Sequence, residues 1–145
     1  MNITLATSSG TITLDGDIPW VDEFKYDSVT QAISITLGGS AIIESGIVST
    51  IRPITLAGNI NTGWAYTSTI EALRAAQVAQ GTTPFTLTLA DGRTFQVIFL
   101  SGAIPGFGGS GPAVSAEPIL PITPRNSTER SALSYYLVVR LLQVG

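Results

Sequence analysis

Five carboxylates, Asp15, Asp17, Asp22, Glu23 and Asp27, lie close together and form the one charge cluster of the chain. Such a group of oxygens could hold a hard cation such as Ca²⁺. The spacing does not follow an EF-hand loop, because no glycine and terminal glutamate stand at the required offsets. Paired carboxylates could also divide the acid and base roles of glycoside hydrolysis, with Trp20 and Tyr26 as the local sugar platforms. The plainer reading is a solvated or interface-facing acidic connector, and that is the expectation here, with no metal and no cofactor. Nucleophilic catalysis lacks its parts. Serines are plentiful, but there is no histidine, and Lys25 is the single lysine that could act as a base. Zinc would lack both histidine and cysteine. The run Gly-Phe-Gly-Gly-Ser-Gly at 106–111 is glycine-rich like a phosphate loop. It lacks the Gly-Lys-Ser/Thr ending, and no helix pattern follows it. These residues predict a protein that assembles, not an enzyme.

Composition points the same way. The chain has 145 residues, enough for one domain with a hydrophobic core. It is 44% apolar and only 12% charged, about half the usual charged share. Its mean hydropathy is +0.37. No apolar run reaches the ~18 residues of a membrane helix, and the longest, at 135–142, is interrupted by Arg140. The surplus apolar surface is expected to be covered by other protein, so the chain should oligomerise. A net charge of −3 supplies no field for nucleic acid or anionic lipid. The absence of cysteine removes a disulfide framework. Residues 1–5 lack a basic start and a long apolar stretch, so no signal peptide is expected.

The elements that must position these residues are mostly strands. Residues 2–14 read as a hairpin turning at Ser8, Ser9 and Gly10. Residues 18–28 read as an extended connector packing its aromatics onto the body. Val29, Gln31, Ile33, Ile35 and Leu37 alternate cleanly and predict a core strand over 29–37, followed by another at 41–45. A strand over 47–56 is broken at Pro53, which places it at an edge or a bulge. The single helix is expected over 68–79, with Ser68 and Glu71 as a capping box, Ile70, Leu73 and Val78 as its apolar stripe, and Gly81 as its stop. Trp64 and Tyr66 are expected to anchor it. Residues 84–100 predict a hairpin around Asp91-Gly92, a dipeptide whose two positions tolerate positive φ. A Gly/Pro-rich loop follows at 101–114, then an edge strand at 115–123 and a long last strand at 134–143. The sum is a single mainly β domain of two packed antiparallel sheets, a β-sandwich, with one helix. Strands 29–37, 84–89, 94–100 and 134–142 are expected to hold it rigid. The N-terminal hairpin, the 18–28 segment and the glycine-rich loop would reach neighbours.

Arg52, Arg93 and Arg140 lie in or beside strands. On a buried face Arg140 would need a partner such as Glu44 or Glu117. On an exposed face it would only add charge, and a lone arginine favours the second. The candidate interface residues are Trp20, Phe24, Tyr26, Phe107, Arg52 and Arg140.

The order of several short motifs resembles a known group. Leu-Asp-Gly, Pro-Trp and Asp-Glu-Phe fall within 14–24, and Gly-Gly-Ser-Ala-Ile-Ile-Glu follows at 38–44. Then come Arg-Pro-Ile-Thr-Leu at 52–56, Trp64, Leu73-Arg74, Leu-Thr-Leu-Ala-Asp-Gly-Arg at 87–93 and the Tyr-rich strand at 135–142. Over most of its length the chain is similar to small tail-tip or baseplate proteins of tailed bacteriophages, and to the N-terminal β-sandwich of distal tail proteins. The resemblance implies a hexameric ring in the virion, assembled in the bacterial cytoplasm, which joins the tail tube to the hub and host-attachment proteins. It implies no catalytic residues. Distal tail proteins commonly carry a second, C-terminal domain for fibres, and since this sequence closes on its final strand, direct carriage of fibres is not expected of it. Two other readings remain open: a tail tube or tail-completion subunit, and a sandwich that binds host glycan through Trp20, Trp64 or Tyr26.

Overall fold

A computed structural model describes residues 2–24, 29–47, 51–102, 111–119 and 134–144. In chain order the elements are β1 (Ile3–Thr7), β2 (Gly10–Leu14), β3 (Val29–Ile35), β4 (Ala41–Ile47), β5 (Arg52–Ala57), β6 (Trp64–Tyr66), α1 (Thr67–Gln80), β7 (Phe85–Thr88), β8 (Thr94–Phe99), β9 (Val114–Pro118) and β10 (Ser134–Gln143). Among the described residues the fold is mainly β, with one helix and two antiparallel sheets, as the sequence predicts. The larger sheet runs β2-β1-β7-β8-β10-β5, with β6 and β9 also paired to β10.

The chain itself requires this sheet to curl. β2 and β5 are its two ends. Yet soon after Leu14 the chain lies along the far side of β5, where Ala57 N–H donates to Pro19 O (3.1 Å) and Val21 N–H to Thr55 O (3.0 Å). Five residue steps cover at most ~18 Å. A flat sheet would separate β2 from a strand outside β5 by ~29 Å. Rolled up, the sheet sets β1, β2 and β7 across a common core from β5, β9 and β10, an arrangement compatible with a β-sandwich. Leu137, Val139 and Leu141 alternate along β10 and are fully buried, as are Leu5, Leu56 and Leu87 on the strands around them.

β10 is the organising strand. One of its sides pairs first with β6 and then with β5, and the other first with β9 and then with β8. Gly58 and Gly63 make the β5–β6 switch possible. Gly58 N–H donates to Leu137 O (2.7 Å), and Leu137 N–H donates to Gly63 O (3.1 Å). A Cβ on Gly63 would stand 2.6 Å from Gly58 Cα, and Gly63 has φ +74°. Only glycine fits both demands.

The helix departs from expectation at its start. It begins at Thr67 with Tyr66 as N-cap and no side-chain capping bond, so the Ser68–Glu71 box does not form. Its inner face is Thr67, Leu73, Ala76 and Gln80, whereas Val78 is exposed. The predicted stop holds: Gly81 N–H donates to Gln77 O (3.2 Å) at φ +53°. Buried Gln80 ties the helix end to the β1–β2 turn, accepting from Ser8 N–H (3.1 Å) and from the Ser8 hydroxyl. The β7–β8 hairpin forms as predicted, although Gly92 alone has positive φ and Asp91 does not. The expected strand over 47–56 is replaced by the end of β4 and a separate β5, whose Pro53 lies on an end strand of the sheet.

The largest correction concerns 29–37. β3 is not a core strand. Among the described residues it pairs only with β4, in a second sheet of two strands. Of the described side chains from Val29 to Gly46, all are exposed but half-buried Thr36. Alternation identifies a strand with one apolar face, not the surface that covers it. Here the curled sheet closes its core without β3.

Candidate assembly surface

The β3–β4 hairpin projects as an arm. Thr36 N–H bonds Ser40 O (2.8 Å), Gly39 N–H bonds Thr36 O (3.0 Å), and Gly39 (φ +84°) completes the turn. Because Ile33 stands opposite Ile43 and Ile35 opposite Ala41, these four share one face. Ala32, Ser34, Ile42 and Glu44 share the other. The first face is open to solvent: Ile33 is 64% exposed, Ile35 80% and Ile43 63%. Leu37 extends the apolar surface at the turn and is fully exposed.

A compact cluster holds the two roots of this arm together. Arg52 stacks its guanidinium 4.4 Å from the centre of the Trp20 ring and donates from Nη2 to Glu23 O (2.7 Å). It thereby bridges the chain entering the arm and the chain leaving it. Phe95 meets the Trp20 ring edge-on at 5.6 Å. Trp20 Nε1–H donates to Asp22 Oδ1 (2.7 Å), and Asp22 also accepts from Thr55 N–H (2.8 Å) and Thr55 Oγ1–H (2.8 Å). Arg93 adds a second anchor, donating to Glu23 Oε1 (2.8 Å) and Asp91 Oδ2 (2.7 Å). The side-chain hydrogen bond to Glu23, with that to Asp91, raises the Arg93 pKa above its ordinary value. The Arg93 backbone N–H on Asp91, aided by the guanidinium, holds that carboxyl below the usual range.

A parallel device stands at the glycine-rich loop. Arg140 donates to Gly111 O (2.8 Å) and Gly102 O (2.7 Å), while Gly102 N–H bonds Gly111 O (3.0 Å). Arg140 therefore pairs with neither Glu44 nor Glu117 and is no idle surface charge. It closes the base of the loop through backbone carbonyls, which carry no sequence signature. Glu117 instead accepts from the Tyr136 hydroxyl, and that hydrogen bond raises the Tyr136 pKa.

Of the predicted interface residues, Trp20, Arg52 and Arg140 spend their side chains on their own chain. Phe24 does not pack onto the body as expected and is 88% exposed. Tyr26 and Phe107 lie outside the described residues, as do Asp27 and most of the glycine-rich loop. The acidic residues disperse to separate partners: Asp22 and Glu23 as above, and Asp17 accepting from Gly63 N–H (3.3 Å). Sequence reasoning missed the arm face by assigning it to the core. Trp64, named above as a possible glycan contact, is exposed, and so is Tyr66, although both were expected to anchor the helix. They line a cleft of about 180 Å³ with Leu14, Asp15, Thr69 and Ser134, between the edge of β2 and β6. The surplus of apolar residues was the signal pointing to the exposed arm face.

Among the described residues no helix is long and apolar enough to cross a membrane. Compared with protein-family models, with curated proteins and with solved structures, the chain matches none.

Proposed function

We propose that this chain is a virion structural protein of a phage tail. It assembles as a ring, taken to be hexameric, at the distal tail end, and joins the tail tube to the hub and host-attachment proteins. The observation that carries the reading is the β3–β4 arm. A folded body with a closed core carries a hairpin whose isoleucine-rich face, at Ile33, Ile35 and Ile43, is open to solvent among the described residues. Exposed apolar surface of this kind marks a site of protein–protein contact. The tail assignment itself rests on the resemblance in motif order, and the partners beyond a second copy follow from it.

The test is native mass by light scattering on purified protein, with negative-stain images of the same fractions. Closed six-fold rings are expected. Long stacked tubes would move the protein to the tail tube, and a monomer at all concentrations would overturn self-assembly.

A further inference from the structure

We propose that the arm of one copy docks, apolar face first, into the cleft between β2 and β6 of the next copy, giving a head-to-tail contact. This inference rests on the assembly reading above and names the surface that receives the arm.

The receiving surface is built for a strand. β2 pairs only with β1, and β6 only with β10, so each has an outer edge that pairs with no other strand among the described residues. Open edges invite strand addition. The cleft between them, about 180 Å³, has Trp64 and Tyr66 as an aromatic wall, 44% and 58% exposed. Pockets for small ligands run to ~300–1,000 Å³, so this one is sized for aliphatic side chains.

The cleft and the arm root lie at opposite ends of the body. Arg52, at the root, stands opposite Gln143, whereas Ser134, opposite Tyr66, lines the cleft. Along β10 that separation is about 30 Å. Each arm strand has seven residues, about 23 Å, and its described side chains are exposed except half-buried Thr36. Knob and hole therefore sit far apart on one chain, which is the condition for a heterologous contact that closes into a ring or runs on as a filament. Charge fixes the orientation. Glu44 is the one charge in β3–β4 and lies on the opposite face from Ile33 and Ile43. Docking the apolar face keeps it from Asp15 in the cleft.

The absence of native cysteine allows a clean test. Ala41→Cys labels the arm face and Thr13→Cys the exposed rim of the cleft, and neither removes an apolar anchor. Each variant is treated with a short bis-maleimide alone and as a mixture, with native mass followed by light scattering. The expected result is a covalent dimer only in the mixture, and a ladder of multimers from the double variant. Thr13→Lys, which puts a charge into the cleft, is expected to lower the assembled fraction by about tenfold. Cross-links of Ala41→Cys with itself would show arm meeting arm and overturn the proposal. An assembled but uncross-linked mixture would also overturn it while leaving self-assembly intact. A monomer throughout would overturn both.

Discussion

Two hairpins of this chain are built from nearly the same pattern and have opposite fates. β7–β8 and β3–β4 each alternate apolar and polar residues around a turn with a positive-φ glycine, Gly92 or Gly39. The first sends Phe85, Leu87, Val97 and Phe99 into the core. Of the second, no described side chain joins the core, and Ile33, Ile35, Ile42 and Ile43 face solvent. The difference lies in what surrounds them. β7 and β8 are flanked by β1 and β10 and roofed by the curl of the sheet, whereas among the described strands β3 and β4 pair only with each other. Periodicity creates an adhesive face, and topology decides whether that face serves folding or association.

The sharpest way to break this comparison is through matched substitutions in body and arm. Gly63→Ala combines a left-handed φ with a backbone clash and is expected to cost about 4 kcal/mol. Gly39→Ala has a similar φ but open space around it, and is expected to cost only about 1 kcal/mol. Leu87→Ala should lose about 3 kcal/mol in urea unfolding, while Ile43→Ala should stay within about 0.5 kcal/mol. Equal losses would place the arm in the folding core. At the join between the regions, Arg52→Met removes the stacking on Trp20 and the bond to Glu23 O. The expected cost is about 1 kcal/mol, with faster hydrogen exchange at the Val21 amide that bonds Thr55 O. The smallest effect is acidic. Asp91 has a lowered pKa, so its contribution is present above the unfolded value of 3.8 and is lost as pH falls through the lower folded value. Asp91→Asn should flatten that part of the stability profile, read by thermal melts between pH 5 and 2.

Much of the fold was legible because local chemistry and final environment agree. Asp91-Gly92 turns where a hairpin turn was expected, Gly81 stops the helix, and β10 spans 134–143 as its alternation predicts. The failures share a physical cause. Ser68 and Glu71 have capping-box spacing, but the chain enters the helix directly from β6, which pairs with β10 up to Tyr66 and makes that residue the N-cap. Val78 fits a helical stripe by type but points away from the sheet. Arg140 was assigned a carboxylate or nothing, because pairing with main-chain carbonyls depends on where a loop closes. The candidate site was least legible of all. The exposure of Ile33 and Ile43 follows from a core completed by strands far along the sequence.

The central claim is that the arm face serves assembly and contributes nothing to folding. Replacing Ile33 by Lys and Ile43 by Glu tests it directly, because these residues stand opposite each other and the paired charges keep the hairpin while breaking the centre of its apolar face. Light scattering and a thermal melt of this double variant beside the unaltered protein give the answer. The expected result is a fall from an assembled mass to the 15.1 kDa monomer, melting where the unaltered protein melts once diluted to monomer. An unchanged mass, or a monomer that melts much earlier than the diluted unaltered protein, would contradict it.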